Sequence, residues 1–286
     1  MRRWLPIASL VVLVAIGAIA ALAWVSADEE KAAEPVTTAP PPLARLRIIF
    51  PEGFTIAEMA DRVAAVREIA IAKRGVTPRL TRKKYLDAVA ALRAPSRFRK
   101  DVKQDSAEGF LFPASYEFTQ RTTARELVAD QVAAFRERFR GVDLSYARSK
   151  NLTPYDILII ASMIEKETAV PRERRLVAAV IYNRLRNRMP LGIDATIRYG
   201  LDIPGTESLT KEALRSESPY NTRVRPGLPP TPIANPGLAS IRAAANPARG
   251  VDYLYYVRKP NSLSHYFTSS ESDFLRKVCE YGYACD

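Results

Sequence analysis

The chain has 286 residues, 47% of them hydrophobic, enough to bury one large core or two smaller ones. Its single histidine, His265, and two cysteines, Cys279 and Cys285, leave too few soft ligands for a zinc site, and no G-x-G-x-x-G or G-K-[ST] loop marks a nucleotide enzyme. The formal charge of +12 is scattered through segments such as RERRLVAAVIYNRLRNR rather than gathered into a nucleic-acid-reading motif, so the composition points to cofactor-free chemistry without nucleic acid.

In chain order, Arg2 and Arg3 precede about 21 uncharged residues, Leu5 to Val25, long enough to span a hydrocarbon core of ~30 Å. Asp28, Glu29 and Glu30 follow, so the positive-inside bias predicts a cytoplasmic tip and single-pass anchor over residues 1–27, with the rest outside. The alternative is a signal peptide cleaved after Val25-Ser26-Ala27, but its apolar region would be about 7–15 residues, shorter than this one. Outside a membrane the acidic partners suited to the excess charge are lipid headgroups and cell-wall polymer. An oxidising compartment is also compatible with a small-loop disulfide between Cys279 and Cys285.

Residues 28–44, rich in Ala, Pro and Thr, read as an extended linker. RLRIIF then predicts a short strand, PEG a turn, and TIAEMADRVAAV a helix with Thr55 as N-cap and Glu58 at the capping-box position. Ile56, Ala60, Val63 and Val66 form its apolar stripe. A second helix, from about Arg82 to Leu92, turns Leu86, Val89 and Ala90 inward. Residues 45–95 thus make a small strand-and-helix module of a size suited to binding or spacing.

The larger remainder, residues 96–286, opens with EGFLFPASYEF as extended structure, Pro113 marking an edge or turn. TARELVADQVAAFRERFRG predicts an amphipathic helix with Leu127, Val128, Val132, Phe135 and Phe139 on one stripe, closed by Gly141 at C′. The next helix has Thr153 as cap, Pro154 first and Asp156 in its first turn, and ends on Glu165 and Glu167. A further helix, from about Pro171 to Arg188, turns Leu176, Val177, Val180, Ile181 and Leu185 inward. A Pro-rich loop, SPYNTRVRPGLPPTPIANPG, a short helix, LASIRAAA, and two strands, VDYLYYV and SHYFT, complete an α+β pattern without internal repeats.

The chemistry concentrates between Pro154 and Leu201. A glutamate whose neighbours one turn back are Ile160, Met163 and Ile164 is partly stripped of water, which disfavours its charged form. Such a carboxyl holds a proton near neutral pH, the property needed to protonate a leaving-group oxygen when a glycosidic bond breaks. Two residues apart on a helix, Glu165 and Glu167 point about 200° from each other, so they cannot both face one cleft in the same way. Glu108 either faces a cleft or closes a turn, and Asp194 either hydrogen-bonds sugar hydroxyls or caps a short helix. Tyr220 and Asn221 combine a flat apolar face with an amide fork, a pair suited to a pyranose and its acetamido group; the alternative is that Asn221 and Thr222 only stabilise the Pro-rich loop. His265, in a strand, reads as packing or solvent-facing rather than as part of a Ser-His-Asp triad.

Taken in order, IIFPEGFTIAEMADRV, EGFLFPASY, ASMIEKETAVPRERRLVAAVIYNRL, IDATIRYGL, SPYNTRVRPGLPPTPIANPG and the LYYV/SHYFT pair resemble the membrane-anchored endolytic murein transglycosylases of the MltG/YceG-like family. The resemblance covers nearly the whole chain after the anchor. It implies a LysM-like module at 45–95 and a transglycosylase domain at 96–286, with no cofactor and no metal. The implied setting is the inner membrane, with the catalytic domain periplasmic and peptidoglycan synthases as partners. The implied reaction cleaves the MurNAc–GlcNAc β-1,4 bond of nascent peptidoglycan glycan strands and leaves a 1,6-anhydroMurNAc end. Glu167 followed by Thr168 is similar to the Glu-Ser pair at the catalytic acid of other lytic transglycosylases, which implies Glu167 as the acid. Glu165, Asp194, Tyr220, Asn221 and Glu108 are the candidate substrate-side residues on the reading of the residues themselves. One departure is visible: the family often ends its last strand with an acidic-His-Asn sequence, where this chain has Glu271-Ser272-Asp273. Two rival readings are a muramidase that uses water and a non-catalytic wall-binding scaffold.

Overall fold

A computed structural model describes residues 43–283 apart from Lys103 and Asp105, so the apolar span Leu5–Val25, nearly all of the linker and Cys285 lie outside the described residues. Among the described residues no helix is long and apolar enough to cross a membrane.

The architecture is α+β, as the pattern of strands and helices predicts: the described residues form helices and two separate two-stranded antiparallel sheets. Strand β1 (Leu46–Ile49) pairs with β2 (Ser115–Phe118), Leu46 opposite Phe118 and Ile49 opposite Ser115. Helix α1 (Ile56–Arg74) starts at the expected capping box, in which Thr55 and Glu58 each satisfy the other's backbone N–H. It runs past the Val66 end of its sequence stripe until Gly75, at φ 60°, ends it in the left-handed conformation. Helix α2 (Arg82–Ala90) buries Tyr85 and Val89, while Ala90, expected inside, is exposed because the helix ends there.

Helix α3 (Ala124–Arg140) buries its predicted stripe of Leu127, Val128, Val132, Phe135 and Phe139. Gly141 ends it at φ −82°, not in the left-handed C′ conformation; the chain turns on instead through a Val142 N–H to Phe139 O bond. A short α4 (Ser145–Arg148) leads to α5 (Pro154–Glu167), whose residues Ile157 to Ile164 are buried on every side. A helix apolar all round belongs in the middle of a core. There α5 packs against α6 (Arg174–Arg186) and most extensively against α9 (Leu238–Ala245). Each large apolar side chain so buried contributes about 1.5–3 kcal/mol. The helix expected from Pro171 begins as a 3-10 turn (Pro171–Glu173) before α6 takes over. Helices α7 (Asp194–Gly200) and α8 (Lys211–Leu214) precede the Pro-rich loop. Strands β3 (Tyr255–Arg258) and β4 (His265–Thr268) form the second sheet, a hairpin, with Tyr256 opposite Phe267. A closing helix, α10 (Glu271–Glu280), stands where the sequence suggested only a departure from a family ending.

Two apolar clusters hold this together. One surrounds α5; the other gathers Ile48, Phe50, Met59, Val63, Tyr85 and Val89 with Leu111, Phe118, Leu127, Val128 and Val132, drawing on both sides of residue 95. The segment 108–112, expected to be extended, is a buried turn with Gly109 at φ 88°. Two of its amides find their partner in a side chain instead of a neighbouring strand: Gly109 N and Leu111 N both donate to Asn235 Oδ1 at 3.0 Å.

Candidate active site

The C-terminal end of α5 carries the two glutamates into different surroundings, as their angular separation requires. Glu165 is a fixed support. Its Oε2 accepts from Gly237 N at 2.8 Å, at the start of α9, and its Oε1 lies 3.7 Å from Arg174 Nη2, with the Glu165 side chain only 6% exposed. Glu52, from the turn after β1, reaches the same spot; a Cβ on Gly237 would collide with its carboxylate. Burial first, then the charge of Glu165, raises the Glu52 carboxyl above its ordinary value.

Among the described residues Glu167 has one side-chain hydrogen bond, from the Tyr256 hydroxyl to Oε2 at 2.9 Å. Burial pushes its carboxyl from 4.5 up to about 7; the Tyr256 bond opposes the rise, the charge of Asp194 adds to it and Arg223 again opposes it. Tyr256, from β3, is itself raised well above 10 by burial and by Glu167, so it stays a donor. A cavity of about 240 Å³ borders both glutamates, walled by Thr168, Arg258, Leu263 and His265 among others. A carboxyl that is half protonated near neutrality can donate a proton to a leaving oxygen and take one back without leaving its place.

Asp194 lies in the first turn of α7 without capping it; its Oδ1 accepts from Arg223 Nε at 2.7 Å, and both side chains are nearly half exposed. This pair lies within electrostatic reach of Glu167 and is available to ligand hydroxyls. The other predicted residues spend their polar groups inside the protein. Asn221 is 0% exposed: its Nδ2 donates to Leu214 O and Ser216 O, and its Oδ1 accepts from Arg223 N, so its amide fork ties the Pro-rich loop and holds the arginine beside Asp194. Tyr220 packs edge-on to Tyr199 and hydrogen-bonds Thr231 at 2.8 Å. Glu108 is 2% exposed and accepts from Ile56 N, Tyr199 and Asn235, while burial pushes its carboxyl up to about 8.

Sequence reasoning did not single out Tyr256, Arg223 or Asn235. Alternation in VDYLYYV marks Tyr256 as one face of a strand but says nothing of what lies opposite. Asn235 carried a weak signal only, an amide inside an apolar, Pro-rich stretch. His265 does pack, as expected of a strand histidine: its Nδ1 lies 2.8 Å from Glu173 Oε2.

The YceG-like family profile matches residues 27–280. The chain belongs to the YceG-like family. Over 255 residues, 84% of this chain and 45% of the relative, it is 32% identical to a Streptococcus pneumoniae protein named endolytic murein transglycosylase. A Bacillus subtilis protein of the same name is 36% identical over 164 residues, 57% of this chain and 45% of the relative. The chain therefore spans about half the length of these curated relatives. Among YceG-like structures, a crystal structure from Listeria monocytogenes superposes with a TM-score of 0.64 at 27% identity, covering 81% of this chain and 75% of that one.

Proposed function

We propose that this YceG-like protein is an endolytic murein transglycosylase acting on peptidoglycan glycan strands, with Glu167 as the single acid and base. The observation that carries the reading is a carboxyl brought to about 7 by burial at the end of an apolar helix, with one phenol as partner. Glu167 gives its proton to the oxygen linking MurNAc C1 to GlcNAc, the C1–O bond breaks, and the sugar becomes oxocarbenium-like. The carboxylate so formed, held by the Tyr256 hydroxyl, takes the proton from the MurNAc 6-hydroxyl as O6 bonds to C1. The products are a 1,6-anhydro end and a free GlcNAc end, Glu167 is again protonated, and no water is consumed. One carboxyl suffices because the nucleophile is the sugar's own hydroxyl.

Asp194 and Arg223 serve the sugar hydroxyls at the rim. Glu165 fixes the end of α5, Glu108 and Asn221 hold the surrounding loops, and Tyr220 packs behind them. No cofactor enters the scheme. Residues 1–27 form the inner-membrane anchor, residues 45–95 a LysM-like glycan-binding module and 96–286 the transglycosylase domain. The catalytic domain is periplasmic, and peptidoglycan synthases that make the nascent strands are the partners. Glu167→Gln keeps shape and packing but cannot shuttle a proton, so cleavage of uncrosslinked glycan strands falls by at least ~10²–10⁴-fold with the circular dichroism spectrum unchanged. Mass spectrometry of the digest separates the alternatives: anhydro ends support the proposal, reducing ends mean a water-using muramidase, and undiminished cleavage by the variant refutes the role of Glu167. If the wild-type protein cleaves nothing, it is a wall-binding scaffold.

A further inference from the structure

Behind Tyr256 lies a buried pair of titratable groups that the cleavage step does not use. Glu173 closes the 3-10 turn after α5, and its two oxygens each accept from the backbone N–H of His265 at 3.2 Å. The ring Nδ1 of the same histidine lies 2.8 Å from Oε2, with the two side chains only 8% and 6% exposed. A carboxylate offers only acceptors, so Nδ1 carries the hydrogen and the imidazole is held from its backbone and its ring at once.

The ring so fixed meets Tyr256 edge to face, centroids 5.4 Å apart and planes at 85°. Phe267 closes the triangle, 5.8 Å from Tyr256 and 6.2 Å from His265. Tyr256 has its other end on Glu167. Burying a carboxylate merely to secure a hairpin makes little physical sense, because apolar side chains of similar volume commonly do so without the desolvation cost. A rigid imidazole edge does something they do not: it sets where a phenol hydroxyl sits, and a misplacement of an ångström in such a network costs rate out of proportion to stability.

We propose that Glu173 and His265 form a positioning pair, which holds the Tyr256 ring so that its hydroxyl stays on Glu167. The inference rests on the reading of Glu167 as the acid. Other charged groups face the same point: Asp194 from α7, Arg223 from the Pro-rich loop and Arg184 from α6 lie within electrostatic reach of Glu167 or Tyr256. Glu165, Lys166 and Arg258 border the adjoining cavity. All of these remain in each variant below, so a difference from wild type reports the pair.

The test is the pH profile of kcat/KM for glycan-strand cleavage by the full chain in detergent. The Tyr256 bond favours the ionised carboxyl, so in Tyr256→Phe the alkaline limb should move up by about one pH unit, the equivalent of one hydrogen bond to a charged group. His265→Phe and Glu173→Gln should move the limb the same way, with kcat reduced about tenfold and KM little changed. His265→Asn keeps an N–H for Glu173 but has no ring against Tyr256; it guards against misfolding and should also move the limb. Combining His265→Asn with Tyr256→Phe should move it no further than Tyr256→Phe alone. If the limb stays at its wild-type position in His265→Asn while Tyr256→Phe shifts it, the pair only supports the hairpin and the inference is wrong. If Glu167→Gln remains active, the underlying assignment fails instead, and the two failures are told apart by that one control.

Discussion

Glu108 offers a way to measure the electrostatics of this interior directly. It sits against the first turn of α1 with Asn235 and Tyr199 around it, and burial raises its carboxyl from 4.5 to about 8. The folded state therefore binds the proton more tightly than the unfolded chain does. Its stabilising contribution is full below about pH 4.5 and is lost as pH rises through about 8. At 1.36 kcal/mol per pH unit the whole span is worth about 5 kcal/mol as an upper bound, and local relaxation reduces it, so a loss of about 2–3 kcal/mol between pH 5 and 8.5 is expected. Glu108→Gln removes the titration while keeping the geometry: the amide oxygen accepts from Ile56 N and Asn235, and the amide nitrogen faces the Tyr199 oxygen. The variant should match wild type within about 1 kcal/mol at pH 5 and exceed it by about 2 kcal/mol at pH 8.5. Urea denaturation followed by circular dichroism at several pH values gives the difference curve, in which every other titrating group cancels. A flat difference would refute the reasoning, because it would mean that Glu108 ionises in the folded protein at its ordinary value.

Asn235→Ala strips partners from Gly109 N, Leu111 N, Phe54 O and Glu108 at once, and should destabilise by about 3 kcal/mol or more in the same denaturation experiment. Gly109→Ala combines a left-handed φ of 88° with a Cβ that would lie 2.8 Å from Pro232 Cγ, so a loss of about 2 kcal/mol or more is expected, read as a lower urea midpoint with unchanged slope.

What the sequence made legible was mostly local. The capping box at Thr55, the N-cap at Thr153, the stripe of α3 and the short helix LASIRAAA all depend on residues within a few positions of one another, and all stand where the pattern put them. That a glutamate ending this apolar helix would hold a proton was legible in part, from the apolar residues before it; that Tyr256 covers Glu167 was not. Readings that needed a partner across the fold fared differently. Asn221 is a nearer case: its carbonyl acceptors, Leu214 and Ser216, are only seven and five positions back, but the turn that brings them to its amide is not visible in a linear string, so the amide also read as one for a sugar. EGFLF looked like a strand because its apolar residues are buried, yet the amides of Gly109 and Leu111 go to a side chain more than 120 positions away. Tyr256 was hidden for the converse reason: its hydroxyl gains meaning only from a carboxylate 89 residues earlier.

That separation matters for how the protein comes to exist. Asn235 exchanges backbone bonds with Gly53 and Phe54 at 2.9 Å, and its side chain reaches Phe54 O across 181 positions. During synthesis, residues 53–54 and the turn at 108–111 must therefore wait for nearly the whole chain to be made before they have their partners. Contacts so far apart in sequence slow folding, because a large loop must close before they repay its entropy. A nascent chain stopped short of residue 235 would expose this seam, with the amides of Gly109 and Leu111 unpaired and Glu108 left with Ile56 N and Tyr199 alone, as a ready handle for quality-control proteases; the seam closes only when Asn235 has arrived.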